Sequence, residues 1–281
     1  MVDFIKAIKM PLDNTKILIA PFVIYFAIFI ISAIGGGIID VAKWAVVLFP
    51  TTIGAIALIS IGITALVGIV VLVLTLIVSG YLLNIFEKII NKKTLPNFQL
   101  SSALDYVIRS VKAGIISFIY MLPGSICILI AISILFGGAI IGLISGGNTE
   151  AIIKAAMTNI LTAGLISIPF VLLGLLFLIV AVYFLPAALA IWFKEGKMLA
   201  AFSFGRILKN VLKLDYFLSL IIAFCINLLI GMIVGVIMFI VILVVSILFP
   251  NVGNAMSIFV SNIISFIIGM MLYAMLAEVI E

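Results

Sequence analysis

An all-α membrane bundle that crosses the bilayer about six times is what the sequence predicts, and three observations predict it. Of 281 residues, 67% are hydrophobic and only 9% charged, against about half and about a quarter in a soluble domain. The charges are also segregated, leaving uncharged runs at 17–39, 44–86, 113–149, 155–193 and 216–277. Finally, the alternating apolar–polar pattern of a barrel strand is absent. A hydrocarbon core of about 30 Å needs about 20 helical residues per crossing, and a helix satisfies its own backbone hydrogen bonds in lipid.

The first run is longer than the apolar stretch of a secretory leader, about 7–15 residues. Asp3 and Asp13 precede it, so it reads as a retained span. The second run, 43 residues, has room for one crossing or two, and charge decides between them. With one crossing the spans are 17–39, 58–80, 114–136, 160–184, 216–238 and 257–279. Thirteen of the fifteen Lys and Arg residues then lie on one side, with only Lys43 and Lys154 opposite. A second crossing there would reverse everything downstream and leave four basic residues on the first side and eleven on the other. Basic residues favour the cytoplasmic side, so a six-span protein of the cell membrane with both termini cytoplasmic is expected. The final run of 62 residues is divided by Phe249-Pro250-Asn251-Val252-Gly253-Asn254. Trp192 and Tyr81, Tyr183 and Tyr273 fall near the cytoplasmic ends of spans, the level at which amphipathic rings are favoured.

Residues 1–281 read as a single membrane domain with an internal repeat of about one hundred residues. Phe4, Ile8 and Lys9 correspond to Leu104, Ile108 and Arg109, and again to Phe204, Leu208 and Lys209. Leu48-Phe49-Pro50 recurs as Leu248-Phe249-Pro250. The units are 1–100, 101–200 and 201–281, each an amphipathic cytoplasmic helix, a span, an outer turn and a returning span. Asp3, Ser102 (with Asp105 completing a capping box) and Ser203 are the expected helix caps. Leu104, Val107, Ile108 and Val111 form one apolar stripe, and Phe204, Ile207, Leu208, Val211 and Leu212 another. Pro11 is expected to cut the first of these helices short. A triplication, and two related copies beside a divergent third, are both compatible with the pattern.

The middle of the chain carries Gly80-Tyr81, Leu95-Pro96, Tyr120 with Leu122-Pro123, Tyr183-Phe184-Leu185-Pro186-Ala187-Ala188, Glu195-Gly196 and Ala200-Ala201-Phe202. In these residues it resembles an uncharacterised, largely archaeal membrane family, domain of unknown function 4013. The resemblance extends over about 80–216. It departs where Pro96 is followed by Asn97, Phe98 and Gln99 rather than by acids and a tryptophan. The resemblance implies a membrane architecture and supplies no catalytic residues.

The side-chain inventory argues against several chemistries. The chain has no histidine, the commonest general base and metal ligand. It has no cysteine pair at metal spacing and no Gly-rich phosphate loop. Cys127 and Cys225 lie within apolar stretches and read as packing residues. The acids sit at span boundaries. Asp105, Glu195 and Asp215 come nearest to a cluster and read as solvated or ion-paired charge. Neither catalytic activity, nor a cofactor, nor a metal, nor a nucleic-acid partner is expected. No span has an ionisable group at its centre, where proton- or cation-coupled transport would place one. Asn227 is the most central strongly polar residue, open to an interhelical hydrogen bond or a substrate contact. Pro21, Pro123, Pro169 and Pro186 read as kinks or as broken-helix sites, and Gly231-x-x-x-Gly235 as a close-packing face. Lys9, Arg109, Lys112, Arg206, Lys209 and Lys213 are candidate contacts to anionic lipid headgroups, at about 1 kcal/mol per basic residue. Anchoring by snorkelling alone is the other reading. The functional expectation is a lipid-contacting or membrane-organising protein. The alternative is an uncoupled permease or channel for a small or amphipathic solute.

Overall fold

The computed structural model describes residues 4–48, 53–144, 149–248 and 250–280. Asp3, Phe49, Pro50 and Phe249, and the side chains of Phe4, Ile8, Lys43 and Lys154, lie outside the described residues. The helices are α1 (Phe4–Asp13), α2 (Thr15–Leu48), α3 (Ile53–Ile90), α4 (Ala103–Ile144), α5 (Thr149–Glu195), α6 (Phe204–Val211), α7 (Leu214–Leu248) and α8 (Pro250–Val279). No strand occurs among the described residues. Six helices are long and apolar enough to cross a membrane, through Thr15–Ala42, Gly54–Ile90, Leu100–Gly137, Ala163–Glu195, Leu214–Ile233 and Ala255–Val279. The ambiguous second run therefore holds one membrane-crossing helix, α3, from Ile53 onward, its first residues to Leu48 belonging to the end of α2. In the last run α7 extends to Leu248 and α8 begins at Pro250, the position in a helix where a missing N–H matters least; Asn251, Val252, Gly253 and Asn254 already belong to α8.

The amphipathic segments differ from expectation in three places. Pro11 lies inside α1, and the helix breaks only at Asn14, whose Nδ2 donates to the Met10 carbonyl at 2.9 Å. Ser203 precedes α6, but its hydroxyl donates backwards to the Ala200 carbonyl at 2.6 Å and caps no amide of α6. Ser102 closes a short 3-10 turn, Leu100–Ser102, that runs directly into α4. The second amphipathic segment is thus continuous with its span. Nothing interrupts it between Val111 and Ala113, whereas Asn14 interrupts the first copy and Leu212-Lys213 the third.

Helix α3 lies at the centre, packed by α2, α4, α5 and α8; α4 pairs with α5 and α7 with α8. The core is concentrated at one end of these helices, where α3, α5 and α8 finish and α4, α6 and α7 begin. Ile85, Phe86, Ala187, Ala188, Ala190, Ala201, Ile207, Tyr216, Met275 and Leu276 are all buried there. Most of the basic residues belong to the same end, termed the charged end below.

Glycines set the two closest helix approaches. A Cβ on Gly80 would overlap the Tyr106 backbone of α4. Gly124 and Gly174 face each other between α4 and α5, where a Cβ on either would come 2.9 or 3.0 Å from the other's carbonyl oxygen. Gly231 and Gly235 meet nothing within 4 Å, so the small-residue spacing noted in α7 is not a packing face within this chain. Lipid tails are as apolar as leucine, so close backbone packing is a main source of helix association. Gly174→Leu should therefore part α4 from α5 and lower the melting temperature in detergent by several degrees. Gly231→Leu should leave the melting temperature of the unassociated single chain within about a degree of wild type.

Candidate functional site

The charged end is built on tyrosines whose rings are packed among helices and whose hydroxyls reach backbone carbonyls, three of them where the chain leaves a helix and one inside α5. Tyr81 of α3 donates to the Pro96 carbonyl in the α3–α4 loop at 3.0 Å. Its ring meets Phe98 and Tyr106 edge-on, with centroids 5.4 and 5.7 Å away. Tyr120 of α4 donates to the Ala201 carbonyl at 2.6 Å and lies parallel to Phe202. Tyr183 of α5 donates to the Val211 carbonyl that ends α6, at 2.7 Å. Tyr216 of α7 donates to the Tyr183 carbonyl at 2.7 Å, beside Pro186. Asn91 and Lys213 serve in the same way, donating to the carbonyls of Phe193 at 3.3 Å and Val279 at 3.1 Å. An unpaired carbonyl in hydrocarbon costs several kcal/mol, which is why most of these donors sit where helices end; the Tyr183 carbonyl, inside α5, is the exception.

Tyr81 and Trp192 were expected in the interfacial belt; both are buried. Gly196, at φ +70°, ends α5 through its N–H to the Trp192 carbonyl at 2.8 Å, a left-handed position that favours glycine.

The structure divides the six basic candidates. Arg109 is ion-paired with Glu87, Arg206 with Glu195, and Lys213 holds the end of α8. Lys9, Lys112 and Lys209 are exposed. A groove of about 160 Å³ gathers Lys194, Arg206, Lys209 and Lys213 around Glu195. A second, of about 320 Å³, brings Lys112 and Arg109 beside Glu87 and Asp105. A wider cleft of about 1030 Å³ opens between α1 and the ends of α3, α5 and α8, with Lys92, Lys194 and Glu278 among the residues around it. No group of three His, Cys, Asp or Glu side chains is placed to hold a metal among the described residues.

The apolar stripes are divided as well. In α6, Ile207 and Val211 turn into the core, while Phe204, Leu208 and Leu212 stay 58%, 43% and 79% exposed. At the start of α4, Leu104 is 70% exposed, with Ile108 and Val111 also uncovered. Asn227 lies far from these charges, in a groove of about 250 Å³ between α7 and α8 that Ser257, Ser261 and Ser265 also line.

Six long apolar helices with charge confined to their ends define a multi-pass membrane protein. Residues 63–239 match the family described as Protein of unknown function (DUF4013); this is more than half of the chain, which belongs to that family. No curated protein and no solved structure matches it. The match extends beyond the motifs on both sides. Gly80, Tyr81, Pro96, Tyr120, Tyr183, Gly196 and Ala201 are, without exception, the glycine contacts, helix ends and carbonyl ties just described.

Removing one tyrosyl hydroxyl takes away a hydrogen bond worth about 1 kcal/mol and strands a carbonyl at somewhat greater cost. Tyr120→Phe and Tyr81→Phe should each lower the melting temperature in detergent by a few degrees. They should also speed proteolysis of 197–203 and 92–99 respectively, each loop responding to its own tyrosine.

Proposed function

We propose that this chain is a non-enzymatic membrane-organising protein that turns its charged end to the cytoplasm and gathers anionic lipids around it. The observation that carries the reading is the juxtaposition of uncovered apolar and cationic groups at that end. Phe204, Leu208 and Leu212 on α6, and Leu104, Ile108 and Val111 on α4, present apolar surface close to where water begins. Lys209 and Lys112, on the same two helices, are exposed beside them. Such a surface is favourable where acyl chains meet headgroups, the apolar side chains dipping inward and the ammonium groups remaining at phosphate level.

The ion pairs sharpen the assignment within the six candidates. Arg109 and Arg206 have carboxylate partners in the chain, which leaves Lys9, Lys112 and Lys209 to meet lipid phosphates. The cytoplasmic orientation rests on the excess of basic residues in the loops of the charged end.

Chain purified from membranes of mixed lipid should carry anionic lipid above its bulk proportion, read by native mass spectrometry or by lipid extraction and quantification. Lys112→Gln and Lys209→Gln should each weaken that preference by about fivefold. Arg109→Gln should instead act mainly on stability, by breaking its pair with Glu87. Retained lipid of bulk composition, or enrichment indifferent to both lysine substitutions, would contradict the proposal.

A further inference from the structure

Asn227 lies near the middle of the membrane-crossing part of α7, on a face that the chain leaves open. Helix α7 packs mainly on α8, with α6 at its base. Asn227 is exposed, as are Gly231 and Gly235 one and two turns further along α7 and Ser257, Ser261 and Ser265 at the same spacing on α8. Among the described residues, the side chains of Asn227, Ser261 and Ser265 have no hydrogen-bond partner. An amide offers two donors and an acceptor, and leaving them unmatched in hydrocarbon costs several kcal/mol. Acyl chains cannot supply the missing partners.

We propose that this face is where a second copy of the chain docks, the two copies related by a two-fold axis along the membrane normal and centred near Asn227. Such an axis keeps every residue at its own depth. Asn227 shares one groove with Ser261 and Ser265, so these groups already belong to one patch of the face in a single copy. The axis therefore presents the amide of one copy to the amide or hydroxyls of the other. Each of these groups both donates and accepts, which makes the patch self-complementary as a two-fold contact requires. Gly231 and Gly235 add the second condition, close approach: a Cβ at either position meets nothing within 4 Å, so the space above them is free for a neighbouring helix. The proposal does not depend on the lipid reading, since it concerns the opposite half of the helices from the charged grooves.

The full chain, fluorescently tagged and diluted over a range of protein-to-lipid ratios in liposomes, reports association by energy transfer. Wild type is expected to self-associate. Asn227→Leu should weaken association about tenfold, and Gly231→Leu comparably, by blocking close approach. Leu229→Ala, on the opposite face of α7, should leave it unchanged. Gly231→Leu keeps the test decisive if Asn227→Leu proves hard to produce, because the open space at Gly231 accepts a side chain in the single copy. A wild-type chain that remains monomeric at every ratio would overturn the proposal. So would Asn227→Leu and Gly231→Leu chains that associate as tightly as wild type, or a lipid or solute found retained in the groove in place of a second copy.

Discussion

Hydrocarbon offers no partner to an ion or to an unpaired backbone group, and the architecture follows from that constraint. It makes the crossing segments helices, keeps ionisable side chains at their ends, and requires a donor wherever a helix gives up a carbonyl. The tyrosines of the charged end meet the last requirement. Their hydroxyls reach the carbonyls of Pro96, Ala201 and Val211, and their rings fill the space between the helices that carry them. One side chain thus satisfies a polar group and adds apolar packing, which suits the boundary between bilayer and water.

The same constraint explains why packing is uneven. At the charged end, loops and helix ends must be covered, and small residues such as Ala187, Ala188 and Ala201, themselves fully buried, let the helices converge there. Further into the membrane, most apolar side chains can face lipid without penalty. Within each span's apolar 18-residue stretch, between 6 and 28% of the residues are buried within the chain, and Gly124 and Gly174 mark one place where close contact is kept. Ion pairing adds little to stability at exposed surfaces. The pairs Arg109–Glu87 and Arg206–Glu195 serve mainly to neutralise two of the cations of the charged end.

Much of the fold was legible because membrane partitioning acts on composition, which a sequence displays directly. Charge counting separated one crossing from two in 44–86, and α3 is one helix. Helix interruption was less legible, because it depends on bonds that close in three dimensions. Pro11 stands in a helix that goes on to Asp13, while Asn14, by bonding the Met10 carbonyl, marks the break. The Ser203 hydroxyl could accept from the α6 amides ahead of it or donate to a carbonyl behind it, and the structure shows the donation to Ala200. Gly124 and Gly174, fifty residues apart, carried no local sign of their contact, whereas Gly231 and Gly235 carried a familiar one that the single chain does not use. The basic stripes were visible as stripes; which cations would be neutralised by Glu87 and Glu195 depended on tertiary placement.

Both long turns of the charged end, 91–102 and 196–203, must lie in the same aqueous compartment if this account is right. The direct measurement uses single cysteines at Thr94 and Lys197 in a chain with Cys127 and Cys225 replaced, labelled with a membrane-impermeant maleimide in sealed vesicles of known orientation. The account predicts that both positions react only from the cytoplasmic side. Reaction of the two from opposite sides would contradict the six-span map, and with it the assignment of a single charged end.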